Sequence, residues 1–187
     1  MNKLIAVVGM SGSGKGLVSD HLEGLGFEKI YFGGVVINRI KELGLEVNPE
    51  NERNIREALR AEHGMGVMAK LLLPAIEEAY KQGNVVLDGL YSWDEYVILK
   101  DKFKDDLNLI CIITDKTLRH DRVGIRIERP FNKEQIQNRD TTEIENLAKG
   151  GPIAIADYFV FNNGTMEESR HRIDEILKTM DEERVEK

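Results

Sequence analysis

The sequence has little of what secreted and membrane proteins depend on for stability or anchoring. It contains one cysteine among 187 residues, so no internal disulfide can form. That residue, Cys111, lies in the apolar run 109–113, which favours a small core side chain over a nucleophile. No apolar run approaches the ~20 residues of a membrane-spanning helix, and the short apolar start lacks the length and cleavage site of a signal peptide. We therefore expect a cytoplasmic protein with no membrane attachment.

An excess of basic residues is also missing. The 33 acidic residues outnumber the 26 lysines and arginines, for a net charge of -7. This balance disfavours nucleic acid as a partner, although a local basic cleft can still hold a small anion. The length and the absence of internal repeats predict one domain over residues 1–187. The sequence leaves open whether the protein is a monomer or a small homo-oligomer.

Short apolar runs alternate with longer amphipathic ones along the chain, which predicts an α/β fold. Several of the short runs are too continuously apolar to have a solvated face, so the sheet should be parallel and covered by helices on both sides. The predicted strands are residues 4–8, 29–32, 84–87, 107–114 and 158–161. Two helical segments are longer than simple crossovers need: 35–63, a predicted mobile flap for the acceptor, and 116–148, a predicted lid.

The strongest motif is a glycine-rich loop between the first predicted strand and the helix that follows it. The loop reads Gly9-Met10-Ser11-Gly12-Ser13-Gly14-Lys15-Gly16. Its glycines allow successive N–H groups to face one anion, the helix start adds partial positive charge, and the lysine neutralises outer phosphates. A simple glycine-rich turn is the alternative, and the spacing with lysine favours ATP. The predicted ATP contacts here are Gly9, Ser11, Gly12, Ser13, Gly14, Lys15, Gly16 and Leu17.

This Walker A loop resembles that of the nucleotide and nucleoside-monophosphate kinases of the P-loop class, and Gly-Lys-Gly also occurs in adenylate kinases. The resemblance implies a P-loop NTPase fold of three α/β/α layers with a five-stranded parallel sheet, a helical acceptor-binding insertion and a lid. Gly16 stands where a serine or threonine usually binds Mg²⁺, and Leu17 replaces the threonine of adenylate kinases. We therefore expect Mg²⁺ to be held mainly through ATP and water.

An acidic residue, Asp88, ends the third predicted strand and is followed by a glycine. At the carboxyl end of a strand in an open α/β sheet, it can orient Mg²⁺-bound water or the acceptor. A capping Asp-Gly turn is the alternative. The segment resembles the adenylate kinase segment that leads into an acceptor-binding arginine, with Tyr91 in the place of that arginine. The resemblance implies a catalytic role for Asp88 and acceptor contacts at Gly89 and Tyr91.

Four arginines recur at helical spacing in the predicted lid: Arg119, Arg122, Arg126 and Arg129. Guanidinium groups that close over a migrating phosphoryl group stabilise its charge and exclude water. A solvated helix with ion pairs is the alternative, because acidic residues lie among these arginines. Arg122 and Arg126 resemble the paired lid arginines of adenylate and dephospho-CoA kinases, which implies a catalytic role for both. Arg139, on the far side of the lid, is a further candidate phosphate contact and is predicted to bind the acceptor.

The segment 156–167 predicts a last strand, an asparagine-rich turn and a helix capped by Thr165. It is similar to the Ala-Asp, strand, Asn-Gly ending of dephospho-CoA kinases, where the turn lies beside the adenine of ATP. The resemblance implies adenine contacts at Asn162, Asn163 and Gly164. Leu73-Pro74 is similar to the His-Pro pair of the same kinases, with leucine in place of histidine.

The acceptor side departs from that family at the end of the second strand. Dephospho-CoA kinases carry an aspartate there that helps to deprotonate the acceptor hydroxyl, whereas this chain reads Phe32-Gly33-Gly34. A phosphate acceptor is already an oxyanion and mainly needs cations and alignment. Both dephospho-CoA and a nucleoside monophosphate therefore stay open as acceptors. Gly34 and Arg60 are the acceptor candidates in this region, and Arg60 matches a Leu-Arg step of the kinases named.

The sequence thus predicts a kinase that uses ATP and Mg²⁺ to phosphorylate a small, anionic, nucleotide-like acceptor. Two rivals remain: an ATPase that drives motion or signalling, and a nucleotide-sensing protein without turnover. The departures at Gly16, Gly34, Leu73 and Tyr91 keep the sensor under consideration.

Overall fold

The computed structural model describes residues 2–126 and 130–185. Its centre is a sheet of five strands in the order β2-β3-β1-β4-β5, with every pair of neighbours parallel. The strands are β1 (Leu4–Val8), β2 (Glu28–Tyr31), β3 (Val85–Asp88), β4 (Leu107–Ile113) and β5 (Tyr158–Phe161). The predicted parallel sheet is confirmed, and each strand begins and ends within one residue of its prediction.

Nine helices connect or flank these strands in the described part of the chain. They are α1 (Lys15–Gly24), α2 (Gly33–Glu42), α3 (Pro49–His63), α4 (Val67–Gln82), α5 (Trp93–Phe103), α6 (Lys116–Ile125), α7 (Lys133–Glu145), α8 (Gly150–Ala154) and α9 (Met166–Val185). A short 3₁₀ turn, Lys104–Asp106, precedes β4. Among the described residues, none of the helices has the length and apolar character that crossing a membrane requires.

The central strand β1 explains why helices cover both faces of the sheet. All five of its residues are buried, and alternate side chains point to opposite faces. Leu4, Ala6 and Val8 pack with apolar residues of α2, α4 and α5, whereas Ile5 and Val7 pack with those of α1 and α9. Both faces are therefore apolar cores, which is the three-layer arrangement that the apolar strands predict.

Local sequence signals fix several helix ends. The side chain of Asn48 accepts a hydrogen bond from the Asn51 N–H at 2.9 Å and caps α3, which then begins at Pro49. Thr165 and Glu168 cap α9 reciprocally, with the Glu168 N–H 3.2 Å from Thr165 Oγ1. Gly64 lies between α3 and α4. The flap segment thus consists of α2 and α3, while α6 and α7 form the predicted lid region.

Candidate active site

The phosphate loop connects β1 to α1 at the carboxyl edge of the sheet. Gly12 and Gly14 have φ angles of +80° and +98°, in the left-handed region that side chains other than glycine rarely adopt. Lys15, the first residue of α1, donates hydrogen bonds from Nζ to the carbonyl oxygens of Gly9 at 2.9 Å and Met10 at 3.0 Å. The loop therefore curls around its own lysine, with its N–H groups at the start of a helix, as a phosphate site requires.

The charge of Lys15 is unusually easy to remove. Burial lowers the pKa of its ammonium group to about 7, and the nearby charge of Lys149 acts in the same direction, against the carboxylates of Glu143 and Asp88. An anion placed beside this ammonium group would favour its charged form and raise the pKa again. Lys15 is thus a cation whose protonation depends on what occupies the loop.

The predicted adenine turn, residues 162–164, is hydrogen-bonded to the phosphate loop. The buried side chain of Asn162 donates from Nδ2 to the Ser13 carbonyl at 2.8 Å, and Ser169 donates to its Oδ1 at 2.9 Å. Thr114 Oγ1 donates to the same Ser13 carbonyl at 3.0 Å. Asn162 therefore holds the loop in shape, a role that the sequence did not indicate. Its predicted contact with adenine stays a prediction.

The rest of this turn is exposed. Asn163 and Gly164 lie at the surface, and Asn163 Oδ1 accepts a hydrogen bond from the Asp115 N–H at 2.9 Å. Arg122, a predicted catalytic arginine, donates from Nη1 to the Asn162 carbonyl at 2.8 Å. The structure thus places Arg122 against the turn at residues 162–164, so contact with a transferring phosphate would require its guanidinium to move.

Arg119 ties both lid helices to the phosphate loop. Its Nη1 donates to the Ser11 carbonyl at 2.7 Å, and the guanidinium forms a bidentate pair with Asp140 of α7 at 3.0 and 2.8 Å. His120 Nε2 lies 2.9 Å from the same carboxylate. Burial alone would raise the pKa of Asp140, but the hydrogen bonds from Arg119 and His120 lower it below its usual value. Arg119 therefore forms an ion pair, as one alternative for this arginine series predicted, and also holds the phosphate loop against the two lid helices.

Arg126 lies at the mouth of this site. Its guanidinium carbon stands 4.8 Å from the centre of the Phe131 ring, and both side chains line the cleft above the phosphate loop. The fourth arginine of the series, Arg129, lies outside the described residues.

Asp88 ends β3 beside the phosphate loop, as predicted. Burial raises the pKa of its carboxyl group, while the charge of Lys29 and a hydrogen bond from Ser19 act in the opposite direction. Gly89 follows with φ +98° and approaches the ring of Tyr91 closely. Tyr91 lines the cleft, and burial raises the pKa of its hydroxyl above the usual value. Asp88 and Tyr91 therefore stand on the same side of the cleft.

Helix α3 of the predicted flap contributes arginines to the cleft. Arg60 of α3 has its Nη2 3.7 Å from Glu95 Oε1, and the carboxylate of Glu95 is fully buried. Glu95 Oε2 in turn accepts the N–H groups of Tyr91 at 2.8 Å and Ser92 at 3.1 Å. Arg56 pairs with Glu52 at 3.9 Å. Gly34 lies in the first turn of α2, and its neighbour Gly33 lines the cleft.

One cleft of about 800 Å³ is lined by the phosphate loop, Asp88, Tyr91, Arg126 and the arginines of α3. Its walls come from the phosphate loop, the ends of β2 and β3, helix α3 and helix α7. The residues with ionisable side chains that line it are Lys15, Tyr31, Glu52, Arg53, Arg56, Glu57, Arg60, Asp88, Tyr91, Arg126, Arg139 and Glu143. The loop and the flap arginines, far apart in sequence, thus face one shared space.

The sequence did not indicate the buried ion pair at the centre of the site. Glu143 Oε2 accepts the Ser11 N–H of the phosphate loop at 3.0 Å and lies 3.0 Å from Lys149 Nζ. Arg139, a predicted acceptor contact, donates from Nε to Glu143 Oε1 at 3.0 Å. The four-residue spacing of Arg139 and Glu143 on a helix was visible, but no pattern marked Lys149.

The fold and the phosphate loop define a P-loop protein of the kinase-like type. A family model described as "AAA domain" matches residues 8–148, which is more than half of the chain. A UPF0200 protein of Thermococcus kodakarensis is 32% identical over 183 residues, covering 96% of this chain and 97% of the relative. The chain therefore belongs to this AAA-domain family and, with that relative, to the UPF0200 proteins.

Solved structures agree on the fold. TT1252 from Thermus thermophilus superposes with a TM-score of 0.64 at 17% identity, covering 96% of this chain and 97% of its own. A shikimate kinase from Bacteroides thetaiotaomicron gives a TM-score of 0.60 at 14% identity, covering 94% of this chain and 98% of its own. At these identities the likeness establishes the architecture alone, which is that of the P-loop kinases.

Proposed function

We propose that the protein is an ATP-dependent phosphotransferase that acts on a small nucleotide-like acceptor. The observation that carries this proposal is the shared cleft, in which the phosphate loop faces a wall containing Arg53, Arg56 and Arg60. A protein that only hydrolysed ATP would have no evident use for a second cationic wall across from the phosphates. A phosphotransferase needs one, because the acceptor must be held in line with the terminal phosphate.

In the proposed reaction, the loop N–H groups and Lys15 hold the phosphates of ATP. Arg122 and Arg126 supply positive charge to the transferring group once the lid closes, and Arg139 is a further cation on the lid side. The acceptor, not water, attacks the terminal phosphate, so a helix α7 that stays over the loop and excludes water would favour transfer over hydrolysis.

Mg²⁺ would enter the site with ATP, since it prefers oxygen ligands and keeps several of its waters. The groups that fit it here are the carboxylate of Asp88 and the phosphates themselves, because Gly16 offers no hydroxyl. When bound, Mg²⁺ would neutralise charge that develops on the phosphate oxygens. Asp88 would orient the water shell of the metal, which needs its ionised form.

The acceptor is proposed to be dephospho-CoA or a nucleoside monophosphate. The end of β2 offers no carboxylate, since Phe32 is buried and Gly33 follows it. An acceptor that is already a phosphate oxyanion needs no base at that position. The arginines of α3 suit such an acceptor, and the fold likeness to a shikimate kinase supports transfer to a small molecule.

The test is ADP formation from ATP and Mg²⁺ with each nucleoside monophosphate, each deoxynucleoside monophosphate and dephospho-CoA in turn. The proposal predicts that one acceptor class stimulates ADP formation well above the rate without acceptor. ADP formation at the same rate with and without acceptor would instead support an ATPase.

Arg60→Lys should raise the KM for the acceptor roughly tenfold and leave the KM for ATP unchanged, since lysine keeps the charge but loses the planar fork that binds phosphate. Lysine is chosen because removing the charge would leave the buried carboxylate of Glu95 unpaired. Steady-state kinetics with both substrates varied measure the effect. Arg39→Lys, an exposed arginine of α2 paired with Glu42, is the matched control. An equal change in both KM values would contradict the assignment.

ATP binding should take up a proton at pH 8. The pKa of Lys15 is about 7, so at pH 8 most of the amine is neutral, and the phosphates of ATP would draw it into its charged form. Uptake of up to about one proton is expected at pH 8 and should shrink towards pH 6, where Lys15 is already charged. Calorimetry in two buffers of different ionisation heat measures it. Uptake that stays constant from pH 6 to pH 8 would contradict this account.

A nucleotide-sensing protein without turnover is the second candidate. The observation that favours it is the carboxylate of Glu143 on the phosphate loop, since it would have to leave before a phosphate could take its place. Tight ATP binding with no ADP formation on any acceptor would support this candidate.

A further inference from the structure

The carboxylate of Glu143 is surrounded like a bound anion. It accepts the Ser11 N–H at 3.0 Å, pairs with Lys149 at 3.0 Å and is held by Arg139 at 3.0 Å. The side chains of Glu143 and Lys149 are each 1% exposed, so solvent does not weaken the pair. Burial alone would raise the pKa of Glu143, but the charges of Lys149, Arg139 and Lys15 lower it below its usual value.

The position of this carboxylate matches the outer end of the phosphate loop. The loop lysine reaches the β- and γ-phosphates in P-loop sites. Here Lys15 Nζ lies on the carbonyls of Gly9 and Met10, directly before Ser11. Glu143 therefore lies where the outer phosphates would bind. Its carboxylate accepts the Ser11 N–H and is stabilised by the charges of Lys149, Arg139 and Lys15.

Lys149 has spare capacity for another anion. Its ammonium group carries three donors, yet among the described residues Nζ has no well-oriented hydrogen-bond acceptor, even though it is buried. It stands 5.1 Å from the centre of the ring of Tyr91, a residue that lines the cleft. Its partner Glu143 Oε2 is the oxygen that accepts the Ser11 N–H, so a phosphate that replaced this carboxylate on the loop would lie beside the Lys149 ammonium group.

We propose that Lys149 is a second phosphate-binding lysine of this site, and that Glu143 is an internal anion that competes with the terminal phosphate of ATP for Ser11 and Lys149. This inference rests on the proposed function, because it requires ATP on the loop. It assigns Lys149 to the γ-phosphate, and it makes release of Glu143 a step of ATP binding.

Affinities for Mg-ATP and Mg-ADP, measured by titration calorimetry, test the inference in four proteins: the parent, Glu143→Gln, Lys149→Met and the double variant. Glu143→Gln should bind ATP roughly tenfold more tightly, because the competing charge is gone. In the Glu143→Gln background, Lys149→Met should weaken ATP binding roughly tenfold and ADP binding much less. The neutral double variant also avoids leaving either charge buried alone.

Measurements in the Glu143→Gln background distinguish phosphate binding by Lys149 from a purely structural role of Lys149. If Lys149 only neutralised Glu143, removing it once Glu143 is already neutral would change ATP affinity by less than about twofold. Such a result, or ATP binding to Glu143→Gln that is no tighter than in the parent, would overturn the inference. Glu134→Gln and Lys133→Met, exposed on α7, are matched controls for the loss of each charge.

The single tryptophan provides an independent readout. Trp93 packs directly on the backbone of α8, where a β-carbon at Gly151 would lie 2.4 Å from the indole ring, and the backbone N–H of Trp93 donates to the Leu147 carbonyl at 3.1 Å. Displacement of Glu143 should therefore change tryptophan emission on ATP addition in the parent and much less in Glu143→Gln. Equal changes in both would count against displacement.

The two proposals fail in different ways. If the parent does not bind ATP, or if Lys15→Ala binds it equally well, the proposed function fails. ATP binding that depends on Lys15 but not on positions 143 and 149 refutes only the role of Lys149 and Glu143.

Discussion

Lys15→Ala should abolish acceptor-dependent ADP formation, with a loss of at least roughly 10²-fold in kcat, because removing one preorganised donor from a developing charge costs about that much. The variant also loses the two hydrogen bonds that Nζ donates within the loop. Initial rates of ADP release with saturating acceptor measure the effect.

Controls separate this chemical effect from unfolding. Lys15→Met keeps the apolar stem of the side chain and should be as inactive as alanine. Lys70→Ala, an exposed lysine of α4, should retain the parent rate. The melting temperature of each variant is recorded alongside. An active and stably folded Lys15→Ala protein would remove the phosphate loop from the proposed chemistry.

Gly14→Ala should destroy nucleotide binding. A β-carbon at this position would lie 2.1 Å from Nδ2 of Asn162, which is buried and bonded to Ser13, and the φ angle of +98° is itself unfavourable for alanine. The backbone or Asn162 must shift, and either movement distorts the loop at the start of α1. We expect ATP affinity to fall at least roughly tenfold and stability to fall by about 1–3 kcal/mol.

Gly24→Ala, at the other end of α1, is the matched control, since a β-carbon there meets nothing within 4 Å. It should leave ATP affinity unchanged. Calorimetry and thermal unfolding of both variants make the comparison. Equal ATP affinity in Gly14→Ala and the parent would show that the loop does not need the geometry described here.

The strands and the phosphate loop were predictable because their signals are local. β1 is a continuous apolar run and β4 is one from Leu109 onward, and a buried parallel strand needs little else. The phosphate loop could be predicted because each glycine and Lys15 has a separate physical reason for its position. The caps of α3 and α9 follow from Asn48 and Thr165 with the residues that come directly after them. Such features are decided within a few residues of sequence.

The centre of the site was not predictable, because it is assembled by tertiary structure. Lys149 is carried into the core by the turn before α8, where Ala148 adopts a φ of +47°, and nothing local marks that turn as functional. In the sequence, nothing distinguishes Glu143 from the other acidic residues of a polar helix. Only the position of α7 over the phosphate loop brings it to Ser11. Asn162 was predicted from a family resemblance as an adenine contact, and only the packing of β5 beside β4 reveals its bond to Ser13.

The proposed phosphotransferase function depends most on whether a phosphoryl group reaches an acceptor. Mass spectrometry of the acceptor pool after incubation with ATP and Mg²⁺ measures this directly, with ADP quantified in the same samples and Lys15→Ala as the blank. We expect one acceptor to gain a single phosphoryl group, and the amount of phosphorylated acceptor to equal the amount of ADP formed. ADP that accumulates while every acceptor stays unmodified would contradict it.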